Sequence, residues 1–325
     1  MRGIVTYDRR DLRALAGMGL LPGAQAGAGP AAGAGGGPRP EGGQAGDGEG
    51  RGGGRVPGSV AVPVHVFYEI KSVLGRVEEP VPGVHNMISC FGDNRAVSQQ
   101  PDLAAVGPGG MRAVRGERYF DWDWVCPNRP AYRQRLLDLV RRAAAAGVAG
   151  TRLDTVSFPR EGFCRCPRCL EAMAASGLEE AEWRAGVITG FIREAAALAR
   201  RPLSLTLYPD PYGDHQRLRF GLDLAAVAPL VDFFVVPIYD LHYATTHWLE
   251  TLVWGFRDLL GDAPFVVELY ALNVDKQALL RAARVADAYA DGVLMAYERA
   301  EEILPVIGEL GPAPAHSRLA PASGA

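Results

Sequence analysis

The chain has 325 residues, 48% of them hydrophobic, enough to bury one large α/β barrel or two ordinary domains. A formal net charge of −3 gives no electrostatic case for nucleic acid or an anionic membrane as partner. No apolar run approaches the ~20 residues that a membrane helix needs.

The opening residues, MRGIVTYDRRDLRALAGMGLL, carry Asp8 and Asp11 and lack a long apolar centre, so they do not read as a secretory signal. A cytoplasmic address is the expectation. Within residues 1–20, MRGIVTYD suits a short strand and the rest a short helix, with their place in the fold left open. Residues 21–58 are almost wholly Gly, Ala, Pro, Arg and Glu. Such a segment cannot repay its ordering entropy and reads as a disordered linker. The tail at 312–325 is assigned to disorder on the same grounds.

Between these ends, over residues 59–311, apolar runs alternate with helical patterns. Strands are expected within 60–70, 85–91, 149–158, 203–208, 231–239, 265–271 and 292–298. Helices are expected at 131–147, along 170–200, and at 223–229, 245–260, 275–288 and 300–310. The strands read as continuous apolar runs, the mark of a parallel sheet covered on both faces. Seven such strands are visible, and RGIVTYD is a candidate eighth. An α/β fold of the (β/α)8 TIM-barrel kind fits this repeat, with ~250 residues being its usual size. A doubly wound open sheet is the rival, but no Gly-rich phosphate turn follows an early strand. The segment 92–130 is a long loop of a length usually reserved for function.

Active sites of such barrels lie where the strands end. Those ends carry Tyr68 and Glu69, Asp93 and Asn94, Arg152 and Asp154, Tyr208 and Asp210, Tyr239 and Asp240, Glu268 and Tyr270, and Tyr297 and Glu298. A single carboxylate there is as well explained by helix capping. A ring of them with tyrosines suits sugar chemistry, in which carboxylates act as acid, base or nucleophile and aromatic faces stack on sugar rings. Arg152 and Asp154 alternate on one strand and should share a face, the guanidinium favouring an ionised carboxylate. A structural ion pair is the bland alternative. Glu268, between Val267 and Leu269, is the candidate general acid, with Asp240 and Asp210 competing. Substrate contacts are expected from Tyr68, Glu69, Asp93, Asn94, Tyr208, Asp210, Tyr239, Tyr270 and Glu298, with Trp122 and Trp124 reaching over them.

Five cysteines include Cys164, Cys166 and Cys169 in FCRCPRC. A C-x-C-P-x-C turn can set three thiolates around a metal, with Cys126 or Cys90 as the fourth ligand of a structural zinc. Three reduced thiols in a surface loop are the bland alternative, and an iron–sulfur enzyme is a further one. No cofactor is required for the carboxylate chemistry. His65, alone on an apolar strand, reads as a core histidine.

The run WVCPNRPAYRQRLLDLV, then GVAGTRLDTVSFP, then FCRCPRC resembles the uncharacterised glycoside-hydrolase-like TIM-barrel family, whose pattern is CPN-x-P-x-x-R before a helix and an LD strand end followed by Phe-Pro. The resemblance spans residues 59–311, most specifically Cys126 to Cys169. It implies a barrel acting on carbohydrate, with Asp154 the leading catalytic carboxylate. Arg152 and Asp154 also look like the R-x-D of α-amylase-type barrels, whose Asp is a nucleophile. The two rivals are a barrel that binds carbohydrate or a partner without catalysis, and a metal-dependent enzyme built on the cysteines. The sequence leaves sugar, linkage and oligomeric state open.

Overall fold

A computed structural model describes residues 1–21, 62–117 and 120–319. The linker expected at 21–58 therefore lies, apart from Leu21, outside the described residues. Eight parallel strands close into one barrel: β1 (Arg2–Thr6), β2 (His65–Lys71), β3 (His85–Ser89), β4 (Gly150–Asp154), β5 (Leu203–Thr206), β6 (Phe233–Ile238), β7 (Phe265–Tyr270) and β8 (Val293–Ala296). The α/β TIM-barrel expectation holds. The eighth strand is RGIVT, so the barrel begins at the first residues and not at 59. β1 pairs with β2 on one side and with β8 on the other, which closes the cylinder.

Ten α-helices surround the barrel among the described residues: α1 (Arg9–Gly17), α2 (Asn94–Gln99), α3 (Pro130–Ala145), α4 (Pro167–Ser176), α5 (Glu180–Ala196), α6 (His215–Phe220), α7 (Leu224–Val227), α8 (His247–Leu260), α9 (Lys276–Asp287) and α10 (Ala300–Leu310). Proline at the first helical position starts α3 and α4, where a missing N–H costs nothing. The helical pattern across 170–200 is two helices, because Gly177 turns the chain at φ +66° and ends α4. None of the described helices is long and apolar enough to cross a membrane.

Alternation along the strands sorts the core into two parts. Val5, Phe67, Met87, Phe233, Val235, Val266 and Leu294 fill the barrel interior, while neighbours such as Ile4, Val66, Ile88 and Val267 face the helices. At the amino end the interior narrows: a Cβ on Gly150 would stand 2.5 Å from the His85 ring, which explains the glycine. His85 and His65 meet there at 3.1 Å, and burial lowers their pKa values to about 3 and about 4.

Two boundaries differ from expectation. Residues 312–319 lie against the amino end of the barrel: Arg2 donates to Pro312 O at 2.6 Å, Ser317 to Asp291 O at 2.8 Å, and Arg318 N–H to Asp291 at 2.6 Å. Composition hid these contacts because they use backbone groups. The long loop after β3 is folded on itself by bridges joining Gly92 to Trp124, Ala104 to Val125 and Val106 to Arg112.

Candidate active site

Above the apolar interior, the same inward-facing positions turn polar at the carboxyl mouth. Glu69 follows Phe67 by two residues on β2, Ser89 follows Met87 on β3, and Glu268 follows Val266 on β7. Arg152 and Asp154 alternate on β4. A register shift in β2 beside Glu69, of the kind that re-aims a side chain, lies at this rim.

Glu69 and Asp154 converge on one hydroxyl. Ser89 Oγ stands 3.2 Å from Glu69 Oε1 and 3.3 Å from Asp154 Oδ2. The two carboxylates therefore cannot be farther apart at these oxygens than about twice one hydrogen bond. Burial, followed by the charge of Asp154, pushes the Glu69 pKa up from 4.5 to about 7. Arg76 approaches Glu69 to 3.7 Å, too far to offset that burial. Asp154 is half-buried and opens to the mouth.

A second acid sits deeper in a different setting. Glu268 is fully buried and accepts from the Arg152 guanidinium and from the Tyr239 hydroxyl. Arg152 Nε donates to Thr206 Oγ1 at 2.9 Å. Burial opposes the Arg152 charge, but the carboxylates of Glu268 and Asp154 outweigh it and hold its pKa above the ordinary value. Two expectations change here. Arg152 is ion-paired with Glu268 across the barrel, not with its neighbour Asp154. The surroundings of Glu268 are polar, because Val267 and Leu269 point outward to the helices.

Four tyrosines cover this pair. Tyr7 stacks on Tyr297 at 4.5 Å, and Tyr297 lies 5.7 Å from Tyr239 and 5.3 Å from Tyr270. Tyr239 and Tyr297 are each 42% exposed, so ring surface faces the mouth. Tyr297 holds φ +72°, a conformation a bulky residue rarely adopts and one that clusters at functional sites. On the β5 side, Trp122, Trp124, Tyr208 and Phe220 wall a pocket of about 260 Å³. Tyr208 stacks on Phe220 at 4.0 Å, shares a 3.1 Å hydrogen bond with Ser157, and feels the charge of Asp154.

Several expected contacts lie elsewhere. Tyr68 points out of the barrel, since Glu69 beside it points in; its hydroxyl donates to Glu78. Asp93 caps α2 through Ala96 N–H at 2.8 Å and holds Tyr132 and Lys71. Asn94 accepts from Asp123 N–H at 2.7 Å and fixes the long loop. Asp210 is ion-paired with Arg219 and stands 3.0 Å from His215 Nδ1 on the rim of the tryptophan pocket. Asp240 accepts from His242 N–H at 2.9 Å, a turn contact, and makes no hydrogen bond with the other acids among the described residues. Glu298 accepts from Asn273 and Arg299 N–H groups at the α10 start. Each is the local capping or pairing that one carboxylate or amide at a strand end performs.

Ser89, Tyr7 and Thr206 join the site without having been singled out from sequence. The signal for Ser89 was its alternation with Met87 on β3. Tyr7 ends the strand whose membership the sequence left open.

The sulfurs of Cys126, Cys164, Cys166 and Cys169 lie within 4.8 Å of one another and are buried. Cys90 stands apart, its thiol 3.4 Å from Ile88 O.

The fold and mouth define a (β/α)8 barrel with acids gathered at its carboxyl end. No protein-family profile matches the chain, and no curated protein does. Among solved structures it is similar to the glycoside hydrolase domain of PelA from Pseudomonas aeruginosa, at 13% identity and TM-score 0.40 over 71% of this chain and 86% of that one. It is also similar to Aspergillus fumigatus Ega3 in complex with galactosamine (13%, TM-score 0.34, 63% and 69%). A family GH18 chitinase from Cycas revoluta gives 13% identity and TM-score 0.42 over 76% and 91%.

Proposed function

We propose that the protein is a glycoside hydrolase working with Glu69 as acid/base and Asp154 as nucleophile. The observation that carries this is the convergence of the two carboxylates on Ser89 Oγ, with Glu69 held near neutrality. Close carboxylates suit the retaining route, for which the separation is about 5–5.5 Å, rather than the wider inverting one. Glu69 protonates the glycosidic oxygen as its bond to the anomeric carbon breaks, and Asp154 attacks that carbon. Glu69, now a carboxylate, takes a proton from water as the water displaces Asp154, and both groups return to their starting states.

Ser89 can donate to only one acid at a time. When it turns to Asp154 it steadies the nucleophile; when it turns to Glu69 it favours the ionised base. The Arg152 guanidinium, fixed in place by Glu268, lies on the same strand as Asp154, and the tyrosines and the tryptophan pocket supply faces on which sugar rings stack. Glu268 thus acts as the partner of Arg152 rather than as the acid.

Turnover of aryl glycosides tests the reading. Asp154→Asn should abolish it for every leaving group. Glu69→Gln should lose most with poor leaving groups and least with activated ones, which need no protonation. Equal losses across leaving groups would remove Glu69 from the role. The rival reading, binding without catalysis, draws support from the capped and paired state of Asp93, Asp210 and Glu298. It requires sugar binding with no turnover by the wild type.

A further inference from the structure

Cys126 ends the folded long loop, while Cys164, Cys166 and Cys169 lie after β4 and at the start of α4. Their sulfurs, drawn from segments about 40 residues apart, gather in the packing outside the barrel, away from the carboxylate pair. Cys126 Sγ stands 3.3 Å from Cys169 Sγ and 3.9 Å from Cys166 Sγ. Four thiolates at about 2.3 Å from one zinc ion sit about 3.8 Å from each other in a tetrahedron. The observed spacing brackets that value. A four-iron cluster, which puts each thiolate on a different iron, needs the sulfurs farther apart.

The surroundings suit a doubly negative metal–thiolate centre. Val106 N–H donates to Cys164 Sγ at 3.3 Å. Three arginines, Arg112, Arg129 and Arg168, against two acids, Asp102 and Glu171, line a pocket that has Cys166 on its wall, and Arg129 Nε is buried there with no hydrogen-bond partner. Cys166 itself stands at the N-cap position of α4, where negative charge is favoured.

We propose that these four cysteines bind one zinc ion, which staples the long loop to the segment after β4. Binding replaces four thiol protons by Zn²⁺, with no change in oxidation state. The staple sets the tryptophan pocket: Cys126 follows Trp124 by two residues and Trp122 by four, and Phe163, next to Cys164, packs edge-on against Phe120 at 5.5 Å. The site has closed protein ligation and takes no part in bond cleavage, so it stands or falls independently of the sugar reading.

The test is elemental analysis of the full chain purified under reducing conditions. One zinc per chain is expected, without colour or acid-labile sulfide. Exchange with Co²⁺ alone should give the charge-transfer and d–d bands of a tetrahedral sulfur site. Cys126→Ser and Cys166→Ser should cut bound zinc about tenfold or more and shift tryptophan emission, while Cys90→Ser keeps one zinc. Should the ligand variants fail to fold, a mercurial thiol reagent added to wild type should release one zinc per chain. Iron with sulfide, a disulfide among the four cysteines, or folded protein that takes up no zinc from solution would each overturn the proposal.

Discussion

Glu69 is buried with no cation close enough to offset the burial, so replacing it by Gln should change stability in a pH-dependent way. The folded-state pKa of about 7 stands against 4.5 for the free side chain. Below about pH 4.5 both folded and unfolded chains carry the proton, and Glu69 imposes no penalty. Between there and about pH 7 the unfolded chain has released its proton while the folded one retains it, so stability falls as pH rises. Above that the penalty is complete, at about 3 kcal/mol from the difference between the two pKa values. A glutamine side chain carries no charge at any pH and avoids this loss. The Glu69→Gln variant should match wild type near pH 4, apart from a constant offset, and exceed it by about 3 kcal/mol at alkaline pH, or roughly 4–6 °C in Tm. Urea unfolding of both proteins across this range measures the gap directly. Histidine titration is common to both and cancels. Two parallel stability curves would refute the assignment of a raised Glu69 pKa and, with it, the acid role.

Asp154→Asn removes a charge that helps raise Glu69, so the Glu69 midpoint, followed by carboxyl carbon NMR, should move below its wild-type value; an unmoved midpoint would separate the two acids. In wild type the same titration should set the alkaline limb of kcat/KM near pH 7. Glu268→Ala strands the buried Arg152 guanidinium and should cost about 3–5 kcal/mol, read by urea unfolding. Tyr239→Phe, which removes a single donor to Glu268, should cost only about 1–2 kcal/mol in the same assay. His65 and His85 have folded pKa values of about 4 and about 3, below the usual 6.5. Their contribution is complete above about pH 6.5 and is lost as pH falls toward those values. His65→Gln should flatten that acid limb in the Glu69→Gln background, where the opposing carboxyl titration is absent.

The barrel was legible because strand runs and helical repeats are local. Continuous apolar runs such as FVVEL gave β7 nearly to the residue, and the periodicity of 131–147 gave α3. β1 was visible only as a candidate, since five residues ahead of a low-complexity stretch show nothing about what they pair with. Within the mouth, alternation already separated Tyr68 from Glu69, and applying it strictly would have sent the tyrosine outward.

Sequence by itself determined the scaffold, the acids available at each strand end and the thiols able to gather beyond β4, because these depend on residue type and short-range period. Only the tertiary structure decided the pairing: that Arg152 takes Glu268, that Glu69 meets Asp154 over Ser89, and that Cys126 joins the other three thiols. The physical reason is that closing the barrel brings together side chains from β2, β3, β4 and β7 whose separation along the chain carries no trace of their separation in space. The chemistry of a carboxylate follows from that neighbour, whether guanidinium, hydroxyl or second acid.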